Sequence, residues 1–284
     1  MDLEKSAPES GELIDHRLLA HELEIARRIQ QSLLPGTFPS LPGFAISGFC
    51  ESAHQVGGDF FDVLMPAQDK ALLVVADVMG KGIPAALFAA TLHTLIRAVA
   101  EWSHQPASLL KRVNRLIFDD LSRVDMFITA SVALVDMRQD KILVANAGHC
   151  PLLIKTARGA IVPVSAEGVP LGIVPDAIFE QQAFPLDACQ CALLYTDGLT
   201  EGCNAKGEFF GQARLINWLS QADPEQQPVP GLRDELQFAL CSFQAQAPLR
   251  DDQTFLLLAR QVHEGTLGFT SQPMEKLQIS TLAE

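Results

Sequence analysis

The sequence predicts an α+β fold built on antiparallel sheets, and two patterns carry that expectation. The middle of the chain passes through strand-like runs at 126–135, 141–146, 152–154, 160–164, 178–184 and 191–196, separated by turns. Strands joined by short connections pair antiparallel, because a parallel pair needs a crossover of a dozen residues or more. Helical spacing of apolar residues lies on either side of this block. Helices therefore gather around sheets and do not alternate with single strands.

Size and charge bound the function. With 284 residues, 48% of them hydrophobic, the chain can fill one large core or two modest ones, and no linker divides its middle. A formal net charge of -13, from 21 basic and 34 acidic residues, argues against nucleic acid as a partner. The opening Met1-Asp2-Leu3-Glu4-Lys5-Ser6 lacks the basic end and apolar core of a signal peptide. The most apolar helical run, 85–102, is interrupted by His93, Arg97 and Glu101, which argues against a bilayer span. Six cysteines are scattered without zinc-finger or redox-motif spacing. Cys189 and Cys191, two apart in a strand, are expected on one face as small apolar residues. A reduced, cytoplasmic protein with no membrane partner is the expectation.

In chain order, residues 1–17 read as a mobile polar segment. Leu19, Leu23, Ala26, Ile29 and Leu33 then follow three- and four-residue steps, giving a helix over 18–35 that Pro35-Gly36 stops. That helix either packs on its own domain or acts as a regulatory element that dimerises. A strand at 44–51 precedes Val56-Gly57-Gly58-Asp59-Phe60-Phe61-Asp62, whose glycines let the backbone approach something closely. Asp59 and Asp62 point to opposite faces of an extended segment, so at most one joins a common site. Asp59 is favoured because the glycines directly precede it. The run 72–76 is a strand buried on both faces with Asp77 at its end. Gly80 and Gly82 turn the chain into a helix whose first turn accepts Pro84, and another helix covers about 106–121. Ala147-Gly148-His149-Cys150-Pro151 interrupts a strand that 152–154 resumes. The strand ending at Asp197-Gly198 repeats the logic of Asp77. Helices at 212–221 and 231–246 follow, and Arg250-Asp251-Asp252 opens a last apolar strand. The main domain is expected at 36–260, with a polar tail at 261–284.

Asp59, Asp77, Asp197 and Asp251 (or Asp252) thus each lie beside an apolar strand. Gathered together, four such charges repel unless cations compensate them. Carboxylate-only ligation, without a convergent Cys or His set, suits Mg2+ and Mn2+. Two such ions roughly 3.5–4 Å apart would acidify a bridging water and clamp an in-line displacement at phosphorus. The alternative is that the acids cap turns and never meet, and spacing leaves both open.

Five segments in order bear on this choice: Val56-Gly57-Gly58-Asp59-Phe60-Phe61-Asp62, the stretch from Asp77 through Gly80-Lys81-Gly82 to Ala86, Asn146-Ala147-Gly148-His149, Tyr195-Thr196-Asp197-Gly198-Leu199-Thr200-Glu201, and Asp251-Asp252-Gln253-Thr254. Together they resemble the SpoIIE/RsbU branch of the PPM metal-dependent serine/threonine protein phosphatases. The resemblance runs from about residue 22 to 260 and includes Ile29-Gln30-Gln31-Ser32-Leu33-Leu34-Pro35. It implies a four-layer αββα sandwich of two antiparallel sheets flanked by helices, with two or more Mn2+ or Mg2+ ions at one edge. It also implies hydrolysis of phosphoserine or phosphothreonine on a partner protein, typically an anti-sigma-factor antagonist, by a metal-bridging hydroxide.

Carried over by position, Asp77 would bridge the ions with help from the Val78 carbonyl, and Asp59 would bind one ion directly or through water. Asp197 and Asp251 would complete one ion, Asp252 taking that place if the register is off by one. Asp77 and Asp197 are the residues expected to be indispensable for catalysis. Thr129 and Asn146 would support them. His149 would either protonate the leaving oxygen or be a structural turn residue. The family often has Ser and His where this chain has Met79 and Lys81, which removes the usual candidate for an acid there. Lys81 would then attract phosphate or be solvated.

Two other readings compete. Gly57-Gly58-Asp59-Phe60-Phe61 superficially resembles the signature of cyclic-dinucleotide synthases, but Phe60 stands where an acid is required. A catalytically silent phosphatase-fold binding module is the second, and the presence of every expected acid argues against it.

Overall fold

The computed structural model describes residues 9–101, 105–245 and 247–261. Residues 1–8 and 262–284, where much of the N-terminal segment and nearly all of the polar tail were expected, lie outside the described residues. Helix α1 (Glu9–Leu33) starts well ahead of the expected residue 18. Extending a helix adds a hydrogen bond per residue without a new nucleus, and Glu12, Leu13 and Arg17 are good helix formers, so residues 9–17 are helical.

The chain continues through β1 (Phe44–Glu51), β2 (Phe60–Ala67), β3 (Lys70–Val78), α2 (Ile83–Ala100), α3 (Pro106–Ser122), β4 (Ile128–Asp136) and β5 (Lys141–Ala147). It then forms β6 (Leu152–Thr156), β7 (Ile161–Val164), β8 (Gln182–Pro185), β9 (Cys189–Tyr195), α4 (Asp197–Thr200), α5 (Gly211–Gln221), α6 (Val229–Gln244) and β10 (Gln253–Arg260). Two antiparallel five-stranded sheets result, in the orders β2-β3-β4-β5-β8 and β1-β10-β9-β6-β7. Leu73, Val75, Ala133, Val144, Ile154, Leu194 and Leu256 bury themselves between the sheets. The outer face of the first sheet packs on α2 and α3 through Val74, Leu92, Ile96, Val113 and Ile117. The outer face of the second packs on α5 and α6 through Leu193, Leu215, Leu236 and Phe255. Each strand of the centre is thus apolar on both faces, and the layers run α-β-β-α as expected.

Three local expectations are corrected. The strand thought to resume after residue 151 does not: β5 lies in one sheet and β6 in the other. Gly148, at φ 68°, redirects the chain between them, and a Cβ there would sit 2.7 Å from Pro170. Cys189 faces the inter-sheet core while Cys191 faces the α5–α6 side. A register shift opposite them, between Lys155 and Thr156, breaks the two-residue alternation. Finally, α2 is long and apolar enough to cross a membrane by length and composition, so its interruptions do not exclude a span. Its place is fixed by packing instead, since Ala85, Ala89, Leu92, Ile96 and Val99 are buried against the sheet.

Candidate active site

Register brings the separated acids to one edge of the sandwich. Phe60 pairs with Ala76, so Asp59 and Asp77 emerge at the same end of β2 and β3. In the other sheet Tyr195 pairs with Phe255, so Asp197, just after β9, and Asp251, just before β10, also share an end. Glycines permit the close approach. A Cβ on Gly198 would lie 1.8 Å from the Asp252 carbonyl oxygen, and one on Gly58 would lie 2.7 Å from the Val78 carbonyl oxygen. Gly58 therefore packs so closely on the Val78 carbonyl that no side chain fits there.

The acids perturb one another in a graded way, from buried to open. Burial, then the charges of Asp77 and Asp252, holds the Asp59 carboxyl well above the usual range, opposed by the Thr196 hydroxyl. That hydroxyl donates to Asp59 Oδ2 at 2.8 Å. Burial, then Asp197 and Asp251, pushes Asp77 up to about 7, while a hydrogen bond from Asp59 works the other way. Asp197, on the exposed rim, is raised by burial and by Asp251, and Glu201 is raised by burial, Asp197 and Asp251. Without a cation the site is a concentration of negative charge that resists full ionisation.

Asp251 and Asp252 have different surroundings. Asp252 is buried, and its Oδ1 accepts from the Ala53 N–H at 2.8 Å while its Oδ2 accepts from the Gly58 N–H at 2.7 Å. It ties the loop before β2 to the start of β10. Asp251 faces Asp77, Asp197 and Lys81. The sequence left the choice between these neighbours open; Asp252 has both carboxylate oxygens engaged by N–H groups, whereas Asp251 accepts from the Asp252 N–H and pairs with Lys81 through Oδ1. Asp62 is elsewhere, fully buried under Arg97, which donates to both of its oxygens at 2.8 and 2.9 Å.

His149 is held by its turn. Its N–H donates to Asn146 Oδ1 at 2.6 Å, its Nδ1 lies 2.7 Å from Thr129 Oγ1, and burial pushes its pKa down to about 4. The ring lies against Thr129 within the turn, an arrangement the turn-residue reading expects. Thr129 itself pairs with Asp77 across β3 and β4. Lys81 is partly exposed but not free: Nζ lies 3.0 Å from Asp251 Oδ1 and also donates to the Arg250 carbonyl. Sequence reasoning missed Thr196 as the partner of Asp59, and it missed Gln30. The Gln30 amide donates to the Gly57 carbonyl at 2.6 Å and accepts from the Gly57 N–H at 3.1 Å. No spacing signal joins residues so far apart in the chain.

Among the described residues, no three His, Cys, Asp or Glu side chains form a ready-made metal cage. The donor chemistry nevertheless fits a hard divalent cation: mutually repelling carboxylates with raised pKa values, a backbone carbonyl beside Gly58, and no thiolate or imidazole among them.

A family model for stage II sporulation protein E (SpoIIE) matches residues 67–261, a segment that holds Asp77, Asp197 and Asp251 and begins just after Asp59. Protein IcfG of Synechocystis sp. (strain ATCC 27184 / PCC 6803 / Kazusa) is 28% identical over 225 residues, 70% of this chain and 36% of its own length. Phosphoserine phosphatase RsbU of Bacillus subtilis (strain 168) is 30% identical over 244 residues, 85% of this chain and 70% of its own. The chain therefore spans only part of these longer relatives. The SiaA-PP2C domain of Pseudomonas aeruginosa superposes with a TM-score of 0.73 at 25% identity, over 87% of this chain and 98% of that domain. Motif order, sheet topology and these likenesses agree: the chain belongs to the SpoIIE family, in the SpoIIE/RsbU-like branch of the PPM phosphatases.

Proposed function

We propose that this chain is a protein phosphatase that hydrolyses phosphoserine or phosphothreonine on a partner protein, with two or more Mn2+ or Mg2+ ions held at the sandwich edge. The convergence of Asp59, Asp77, Asp197 and Asp251 at one end of two sheets is the observation that carries the reading. The name of its relative RsbU, a phosphoserine phosphatase, supports the substrate class. An anti-sigma-factor antagonist is the partner that the branch suggests.

Asp77 and the Val78 carbonyl would help hold the ions. Asp59, steadied by Thr196, would hold the buried side, and Asp197 with Asp251 the open side. Bound cations supply an acidified water and positive charge for the phosphoryl oxygens. The protein's own part is to fix the carboxylates on rigid strand ends and to leave the rim open, so that a phosphorylated segment of another protein can reach it.

Two assays test this. Hydrolysis of p-nitrophenyl phosphate and of a phosphorylated antagonist protein should require Mn2+ or Mg2+, and Asp77→Ala and Asp197→Ala should each abolish it. Turnover in the presence of a chelator, or full activity in both variants, sinks the reading. Mn2+ binding without turnover in the unsubstituted chain would favour the silent binding module.

A further inference from the structure

Lys81 occupies the turn where the chain departs from the residues its family often carries. Gly80, at φ 92°, and Gly82, at φ 69°, bracket it in the left-handed backbone that glycine favours. The Lys81 ammonium binds the Arg250 carbonyl and sits 3.0 Å from Asp251 Oδ1, linking the loop after β3 to the entrance of β10. Its charge reaches Asp197 and Glu201 as well, since it opposes the rise of both carboxyls. The pair is partly open to water, with the lysine side chain 38% exposed and the aspartate 42%.

We propose that Lys81 is a tethered counter-ion that a divalent cation must displace from Asp251. The Asp197–Asp251 end of the site would then fill after the Asp59–Asp77 end, and more weakly. This rests on the cation-binding half of the phosphatase reading and is independent of hydrolysis. The physical argument has two parts. An ammonium and a divalent cation cannot share Asp251 without strong repulsion at contact distance. A half-exposed ion pair is weak, and lysine is a compact charge on a flexible stem, so the pair yields when the stronger cation arrives. Among the described residues no lysine pairs with the buried Asp59, whose Oδ2 accepts from the Thr196 hydroxyl at 2.8 Å.

Mn2+ titration of the full chain by calorimetry, on the unsubstituted protein and on Lys81→Met and Lys81→Arg, tests the proposal. The unsubstituted chain should show a tight and a weak class of Mn2+ site. Lys81→Met should tighten the weak class by about fivefold, the worth of a half-exposed ion pair, and leave the tight class within about twofold. Lys81→Arg should behave like the unsubstituted chain. In an Asp251→Asn background, Lys81→Met should lose its effect, which assigns the competition to that pair. Unchanged or weakened Mn2+ binding in Lys81→Met overturns the proposal, as does a single class of site. If the unsubstituted chain binds no Mn2+ at all, the metal-dependent reading falls with it.

Discussion

Asp77 concentrates the tension of the site in one side chain. Its carboxyl is raised to about 7 from an ordinary 3.8 by burial, Asp197 and Asp251. A folded-state pKa raised above the unfolded value means that the folded protein binds more protons between the two. The carboxyl's contribution to stability is therefore fully present below about pH 4 and is lost as pH rises through about 7. In chelator, Asp77→Asn should stabilise the protein at pH 8 by on the order of 2 kcal/mol, with the gain shrinking towards pH 4. Thermal melts across that range check it; equal melting shifts at both ends would contradict the electrostatic account. Mn2+ should reverse the order at pH 8, because only the aspartate holds the cation well. Gly198 makes a steric prediction at the same scale. A Cβ 1.8 Å from the Asp252 carbonyl oxygen cannot be relieved by a flexible side chain. Gly198→Ala should cost about 3 kcal/mol or more, and a melting point unchanged within a degree would refute the packing.

At the scale of elements, the buried charge under α2 shows what pattern reading captures and what it misses. Asp62 carries no exposed surface, yet two donors from Arg97 and a contact from His93 at 3.4 Å join β2 to α2. Removing one partner of a buried pair leaves a bare charge, so Arg97→Met should destabilise by roughly 2–4 kcal/mol in urea titrations. Asp62→Asn in the same chain should recover part of that loss, and independent, additive losses would argue against a shared network. The sequence placed Asp59 and Asp62 on opposite sides because alternation along a strand is local, and the strands, the long helices and the acids at strand ends were legible for the same reason. Three things were not. The jump between sheets at Gly148 depends on which sheet has an edge to accept β6. The opposite facing of Cys189 and Cys191 depends on where β9 slips one residue against β6. The different surroundings of Asp251 and Asp252 depend on N–H groups of Ala53 and Gly58, almost 200 residues away in the chain.

Across the whole molecule, the Gln30 side chain ties α1 to the loop that leads into the site. Gln30 pairs with both backbone groups of Gly57, and the next residue's N–H is held by Asp252, beside Asp59. The same helix leaves Leu18, Leu19 and Ile29 exposed, and an apolar groove between α1 and α2 is lined by Ala26, Ile29, Leu33, Val56, Ile83 and Leu87. We propose that association through this helix fixes the Gly57–Asp59 backbone, so that assembly and turnover rise together. Deleting residues 1–34 should then change oligomeric state and rate in one step. Gln30→Ala separates the two effects: the exposed apolar surface survives while the amide bridge is lost. Its oligomeric state by light scattering should stay as in the unsubstituted chain, whereas kcat and Mn2+ affinity should each fall by about tenfold, for a loss of about two modest hydrogen bonds. Gln30→Glu should be no better, because a carboxylate keeps the acceptor for the Gly57 N–H but turns an acceptor on the Gly57 carbonyl. Normal turnover in Gln30→Ala would show that α1 packs beside the site without governing it.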